Sequence, residues 1–237
     1  MQEKAIGILG GMGPEASWDL FGRIIKATPA QKDADHIRVI IDSNPKIPDR
    51  TKAILGNGPS PVEDLIKTAK NLELAGAHYI FMPCMTAHYF IDTVQEAITI
   101  PIINGFHLIQ RYLENEGITL SRIAVIATSG SLRSRIYQRY LDVDKLIFPD
   151  EAIQEKEIMD LIYGADGIKA GYVSGQTLTR LNRLIARFEK QGADAVIAGC
   201  TEIGLVLKNH SMPLPVIDPL DLMAREAVNL VLASHSD

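Results

Sequence analysis

The feature that most constrains this chain is an order of events that occurs twice. Ala75-Gly76-Ala77-His78-Tyr79-Ile80-Phe81-Met82-Pro83-Cys84-Met85-Thr86 leads through a helix-length segment to Ile100-Pro101-Ile102-Ile103-Asn104. Gln191-Gly192-Ala193-Asp194-Ala195-Val196-Ile197-Ala198-Gly199-Cys200-Thr201-Glu202 leads through another to Leu214-Pro215-Val216-Ile217-Asp218. Each begins with a short, unalternating apolar run, the mark of a strand covered on both faces. Each run ends on a cysteine with a helix starting just behind it. A chain so organised folds into two similar α/β halves, each with one thiol at the C-terminal edge of a buried strand, where open parallel sheets bind ligands.

The rest of the chain extends this pattern. Strands are expected near Ala5–Leu9, Ile37–Asp42, His78–Met82, Ile100–Ile103, Arg122–Ala127, Lys145–Phe148, Asp194–Ala198 and Pro215–Ile217. Helices are expected over Pro14–Ala27, Pro61–Ala75, Tyr89–Ala97, Phe106–Glu116, Ser131–Leu141, Asp150–Tyr163, Gly175–Gln191, Glu202–Lys208 and Pro219–Ser234. Pro14, Pro61 and Pro219 suit helix starts, and Gly76, Gly117 and Gly192 suit helix stops. The fold class is therefore α/β, with two pseudo-twofold-related lobes, each a mainly parallel sheet flanked by helices, and the site in the cleft between them. The N-terminal lobe takes residues 1–104, with 218–237 packing back on it, and the C-terminal lobe takes 105–217. Asn104-Gly105 and Ile217-Asp218-Pro219 are the candidate crossings.

Composition narrows the function classes. A chain of 237 residues with 46% hydrophobic content is long enough for two cores. The formal charge of −5 is negative and no dense Lys/Arg run occurs, so nucleic acid is not an expected partner. The start runs straight into a strand-like segment and no apolar stretch reaches membrane-spanning length, so a cytoplasmic location and no membrane partner are expected. His36, His78, His88, His107 and His210 do not recur at metal-ligand spacing and no C-x-x-C is present, so no metal is expected. His88 reads as a helix-start histidine with a local hydrogen bond. Trp18 and the methionines read as packing residues.

The two cysteines are expected to be reduced thiols. Their number alone favours inert burial; their equivalent placement favours a functional pair. A thiol before a helix start can ionise near neutrality. An acid and a base on opposite faces of a planar intermediate are what inversion at an amino-acid α-carbon requires. Gly11-Met12-Gly13-Pro14-Glu15-Ala16 also fits the dinucleotide fingerprint G-x-G-x-x-G/A, which keeps an NAD-dependent enzyme open as an alternative. The acidic partner would have to be Asp42, 29 positions after Gly13 instead of about 20.

Taken together, the motifs resemble the aspartate/glutamate racemase family, specifically its aspartate racemase branch. Gly7-Ile8-Leu9-Gly10-Gly11-Met12-Gly13-Pro14-Glu15-Ala16 is similar to its first strand and substrate loop, and Asn44-Pro45-Lys46-Ile47-Pro48-Asp49-Arg50-Thr51 to its arginine-bearing loop. Met82-Pro83-Cys84-Met85-Thr86-Ala87-His88 and Gly199-Cys200-Thr201-Glu202-Ile203 are similar to its two cysteine motifs. The resemblance implies a cofactor-independent amino-acid racemase, acting on aspartate, glutamate or another amino acid, with Cys84 and Cys200 as the acid/base pair. It implies a substrate-binding set of Met12, Arg50, Met85, Thr86, Ser129, Ser131, Lys169 and Thr201. Glu202 is auxiliary, either polarising Cys200 or capping its helix, with the cap favoured. A homodimer and a small amino-acid substrate are the implied partners. Position 85 departs from the family, being Met where Asn is usual, and this leaves the accepted side chain open. A non-catalytic amino-acid-binding protein on the same scaffold is the second alternative.

Overall fold

The computed structural model describes residues 4–115, 120–208 and 210–232. They fall into two α/β units, Met1–Gly105 with Leu220–Asp237, and Phe106–Pro219. In the first, β1 (Ile6–Gly10) is buried along its whole length, as its unbroken apolar sequence demands. It pairs in parallel with β2 (Val39–Ser43) on one side and β3 (Tyr79–Phe81) on the other, and β3 pairs with β4 (Ile102–Ile103). The order is β2-β1-β3-β4. In the second, β5 (Ile123–Ile126), β6 (Leu146–Ile147), β7 (Ala195–Ala198) and β8 (Val216–Ile217) form the order β6-β5-β7-β8, again all parallel. The two orders are the same when counted from each unit's first strand.

The duplication extends to the punctuation. Ahead of the third strand of each sheet stand α3 (Val62–Leu74) and α10 (Gln176–Lys190). Both stop on a left-handed glycine, Gly76 at φ +89° and Gly192 at φ +87°, a backbone region open to glycine at no steric cost. Ala77 N–H donates to Leu72 O at 3.0 Å and Gly76 N–H to Glu73 O at 3.0 Å; Ala193 and Gly192 repeat this with Phe188 O and Glu189 O at 3.0 and 2.9 Å. This is the Schellman closure of a helix C-terminus, placed identically ahead of both third strands. Gly117 lies outside the described residues.

All eight expected strands form. α1 (Pro14–Ala27) opens on a proline whose missing N–H costs nothing there. Ala16, Leu20 and Ile24 make its buried stripe. Trp18 is a correction: it is 71% exposed, on the face opposite that stripe, and packs in no core. α12 (Pro219–Leu232) returns to the first unit, where Arg23 bridges Asp19 at 2.8 Å and Asp221 at 2.5 Å.

Three expected helices are interrupted. The segment Tyr89–Ala97 becomes a 3-10 turn over Met85–Phe90 followed by α4 (Ile91–Gln95). Ser131–Leu141 becomes α6 (Ser129–Arg133) and α7 (Ile136–Tyr140), because Arg135 takes the left-handed conformation at φ 55° between them. Asp150–Tyr163 becomes α8 (Glu151–Ile153), a π-helical turn over Gln154–Ile158, and α9 (Met159–Tyr163). Further elements are α2 (Arg50–Ile54), read from sequence as loop, α5 (Gly105–Asn115), α11 (Thr201–Leu207) and a 3-10 turn over Ile168–Ala170. Among the described residues no helix is long and apolar enough to cross a membrane.

Candidate active site

Each sheet order places its first and third strands side by side, with the second outside the first and the fourth outside the third. Between the carboxyl ends of those two central strands lies the crevice where such sheets bind ligands. In the first unit the loops there carry Gly11-Met12-Gly13, after β1, and Cys84, after β3. In the second they carry Thr128–Ser131, after β5, and Cys200, after β7. The repeated pattern thus delivers both thiols, one glycine-rich loop and one hydroxyl-rich turn to equivalent edges.

In the first unit Cys84 is 7% exposed and forms the N-cap of the 3-10 turn carrying Met85 and Thr86. Arg50, 8% exposed, opens α2, which packs against that turn. Its Nη1 donates to Ile47 O at 3.1 Å and Pro48 O at 3.0 Å, and its Nη2 reaches Met12 O at 3.5 Å. Carbonyls therefore orient the guanidinium, and it is no solvated surface charge. Thr51, next along α2, is 5% exposed and its Oγ1 has no hydrogen-bond partner among the described residues. Met85 is 1% exposed and lies against Gly105: a Cβ there would stand 3.1 Å from its Sδ and 2.5 Å from Met223 Cε. Its thioether thus serves packing in this unit. His88 is fully buried, with Nδ1 3.0 Å from Cys84 O and Nε2 accepting from Gly105 N–H at 3.0 Å.

In the second unit Cys200 is 5% exposed and forms the N-cap of α11. Its Sγ donates to Glu202 Oε2 at 2.8 Å, and Thr201 Oγ1 donates to the same oxygen at 3.1 Å. Lys169, on the 3-10 turn over Ile168–Ala170, donates through Nζ to Glu202 Oε1. Its ammonium also lies 5.5 Å from the Tyr163 ring centre. Burial opposes the charged form of Glu202, but the Lys169 ammonium, the Cys200 thiol and Glu202's own N–H outweigh it and hold the carboxyl below the usual range. Sequence alone leaned towards a helix-cap role for Glu202; in the structure its carboxylate joins the thiol to the lysine.

The hydroxyl-rich turn is built by Thr128, the N-cap of α6, which accepts from Ser131 N–H at 3.3 Å and lies 3.1 Å from Ser131 Oγ. Ser129 Oγ donates to Glu155 Oε1 at 2.9 Å and accepts from Gln154 Nε2 at 3.1 Å. Gln154, at the start of the π turn, also donates to Ala127 O at 3.0 Å. Sequence reasoning missed Gln154, because a π turn has no local sequence mark.

Tyr137 was missed too. It is fully buried and donates to Gly199 O at 3.1 Å. Burial, then the neighbouring Cys200, raise its pKa far above the ordinary phenol value. A Cβ at Gly199 would lie 1.9 Å from Tyr137 Oη and 2.9 Å from Ala127 Cβ. Gly199→Ala should therefore cost about 2–3 kcal/mol by overpacking, read as a fall in Tm of roughly 5–10 °C. The same substitution in a Tyr137→Phe background, which removes the colliding oxygen, should cost less. Equal losses in both backgrounds would refute the assignment of the clash.

Neither cysteine is in a disulfide. Among the described residues no group of three or more His, Cys, Asp or Glu side chains is gathered as a metal would require.

The known proteins to which the chain is similar agree in kind. The family model described as Asp/Glu/Hydantoin racemase matches residues 9–227. The broad specificity amino-acid racemase RacX of Bacillus subtilis (strain 168) is 26% identical over 98% of this chain and 100% of its own length. Among solved structures, the aspartate racemase of Picrophilus torridus is 27% identical with a TM-score of 0.79, covering 96% of this chain and 94% of its own. A glutamate racemase from Francisella tularensis subsp. tularensis SCHU S4, solved with D-glutamate, shares the fold at 20% identity and a TM-score of 0.68, over 99% of this chain and 83% of its own. With two matched parallel sheets, a cysteine past the third strand of each and a family match spanning both, the chain belongs to the Asp/Glu/hydantoin racemase family.

Proposed function

We propose that the protein is a cofactor-independent racemase of acidic amino acids, aspartate first among them, with Cys84 and Cys200 as its two acid/base groups. The observation that carries this reading is the equivalence of the thiols: the chain has two cysteines, and each follows the third strand of a sheet with the same strand order. The similarity to the aspartate racemase of Picrophilus torridus supports the acidic class, and the similarity to the broad specificity amino-acid racemase RacX supports an amino-acid substrate.

In this mechanism one thiolate removes the α-proton from one face, leaving a planar carbanion, and the opposite thiol delivers a proton to the other face. One turnover exchanges the protonation states of the two sulfurs, and the reverse reaction restores them. Cys200 donates to Glu202, which suits the protonated form of that sulfur, and the roles of the two sulfurs swap with the direction of the reaction. Arg50 is the cation for the substrate's side-chain carboxylate, since a carboxylate out of water needs a charged, hydrogen-bonding partner. Lys169 acts on the reaction through Glu202 and Cys200. Thr86, Thr201, Met12 and the Thr128–Ser131 turn supply hydroxyl and backbone N–H groups for the α-carboxylate, with Ser129 holding the turn's shape through Gln154 and Glu155. Met85 provides no amide, so Thr86 and main-chain groups carry that part of the binding.

The test is incubation with single L- or D-amino acids in D2O without pyridoxal phosphate, following loss of the α-proton signal and chiral chromatography. Exchange with inversion, fastest for aspartate or glutamate, is the expected result. Binding without exchange by any amino acid tried would overturn the reading in favour of a binding protein.

A further inference from the structure

We infer that His88 is a positioning residue for the Cys84 thiol, a neutral latch that ties the thiol-bearing turn to Gly105, where the chain leaves the first unit. The Gly105 amide can only donate, so Nε2, which meets it at 3.0 Å, is the bare nitrogen. Nδ1 therefore carries the proton and donates it to Cys84 O at 3.0 Å. That carbonyl also accepts Ala87 N–H at 3.0 Å, so the peptide following the thiol is held from two directions. Both bonds need the neutral ring; a proton on Nε2 would set donor against donor.

The approach to Gly105 is close enough to exclude any side chain there. A Cβ would lie 2.5 Å from Met223 Cε, 3.1 Å from Met85 Sδ and 3.3 Å from His88 Nε2. The residue that departs from the family pattern, Met85, thus packs beside the latch. A rigid ring with a donor on one edge and an acceptor on the other spans the two backbone groups. Asn places an amide donor near Nδ1 but does not reach Gly105, and Gln places an acceptor near Nε2 while losing the fixed donor.

The experiment uses His88→Phe, His88→Asn and His88→Gln in the full chain, with three readouts. The first is the rate of iodoacetamide alkylation at Cys84 and, separately, at Cys200, by peptide mass mapping. In His88→Phe the Cys84 rate should change about tenfold, the size of one lost buried hydrogen bond, with Cys200 within about twofold. His88→Asn, which keeps the bond to the Cys84 carbonyl, should lie nearer wild type than His88→Gln. The second is the imidazole nitrogen spectrum of the wild type, which should show the proton on Nδ1 and none on Nε2. The third rests on the racemase reading: kcat should fall about tenfold with KM nearly constant.

A Cys84 rate unchanged in His88→Phe, a parallel change at both cysteines, or a proton on Nε2 would overturn the latch. Should His88→Phe not fold, the spectrum and the Asn/Gln pair still decide. The first two readouts involve no substrate, so a protein that racemises nothing could still possess the latch, and a racemase could lack it.

Discussion

Cys84→Ala and Cys200→Ala should each lower racemisation by about 10³-fold or more, within the range that a positioned acid or base contributes, and should do so with mirror-image residual activities. Each variant keeps a single thiol, working on one face of the α-carbon. That thiol still removes the proton from the enantiomer presenting it and returns one to the same face. In D2O, one variant should exchange the α-proton of the L-amino acid without inverting it, and the other that of the D-amino acid. Nuclear magnetic resonance for exchange and chiral chromatography for inversion read the two steps separately. Both cysteines are small and buried, and alanine removes only the sulfur, so far-ultraviolet circular dichroism should be unchanged. Full racemisation by either variant, or exchange of the same enantiomer by both, would refute the pair.

Much of this arrangement was legible in the residues. Short apolar runs mark the strands, and β1, β5 and β7, buried along their whole length, have no polar side to reveal a period. Gly76 and Gly192 mark two helix ends, because the left-handed position after a helix strongly favours glycine. What was hidden is what tertiary context decides. Arg135 splits α6 from α7 in a conformation that arginine seldom takes, so no local rule marks it. The π turn at Gln154 reads as ordinary helix until its bonds to Ala127 and Ser129 are seen. The exposed Trp18 is the opposite case, a large aromatic that composition assigns to a core and helix phase turns outward. The site divides in the same way. The placement of both cysteines follows from sequence, but the engagement of Lys169 with Glu202 joins residues 33 apart and becomes visible only in the fold.

That engagement carries the last prediction, Lys169→Met. Glu202 is almost wholly buried, and its charged form is held by the Lys169 ammonium, the Cys200 thiol and its own N–H against the opposing effect of burial. A carboxyl whose folded pKa is depressed adds stability above its unfolded value of about 4.3, and that stability is lost as pH falls through the lower folded value. In Lys169→Met burial remains and the strongest counter-effect is gone, so the folded pKa of Glu202 should rise above the unfolded one. The sign then reverses: the variant loses stability as pH increases through the raised pKa. At pH 7 the loss should be about 2–3 kcal/mol, below the usual range for breaking a buried pair because the Lys169 side chain is 24% exposed. Denaturant melts at several pH values check this directly. Wild type should gain stability from this group as pH rises from below its lowered pKa to the unfolded value of about 4.3 and then level off, whereas Lys169→Met should lose stability as pH rises above about 4.3. Adding Glu202→Gln to Lys169→Met should restore part of the loss, because the stranded charge is removed. Glu202→Gln alone takes the negative charge away from Cys200, so alkylation of that thiol should reach half its maximal rate at a lower pH than in wild type. Parallel pH–stability curves for wild type and Lys169→Met would mean that Lys169 does not sustain the Glu202 charge, and the assigned route from Lys169 through Glu202 to the thiol would fail with it.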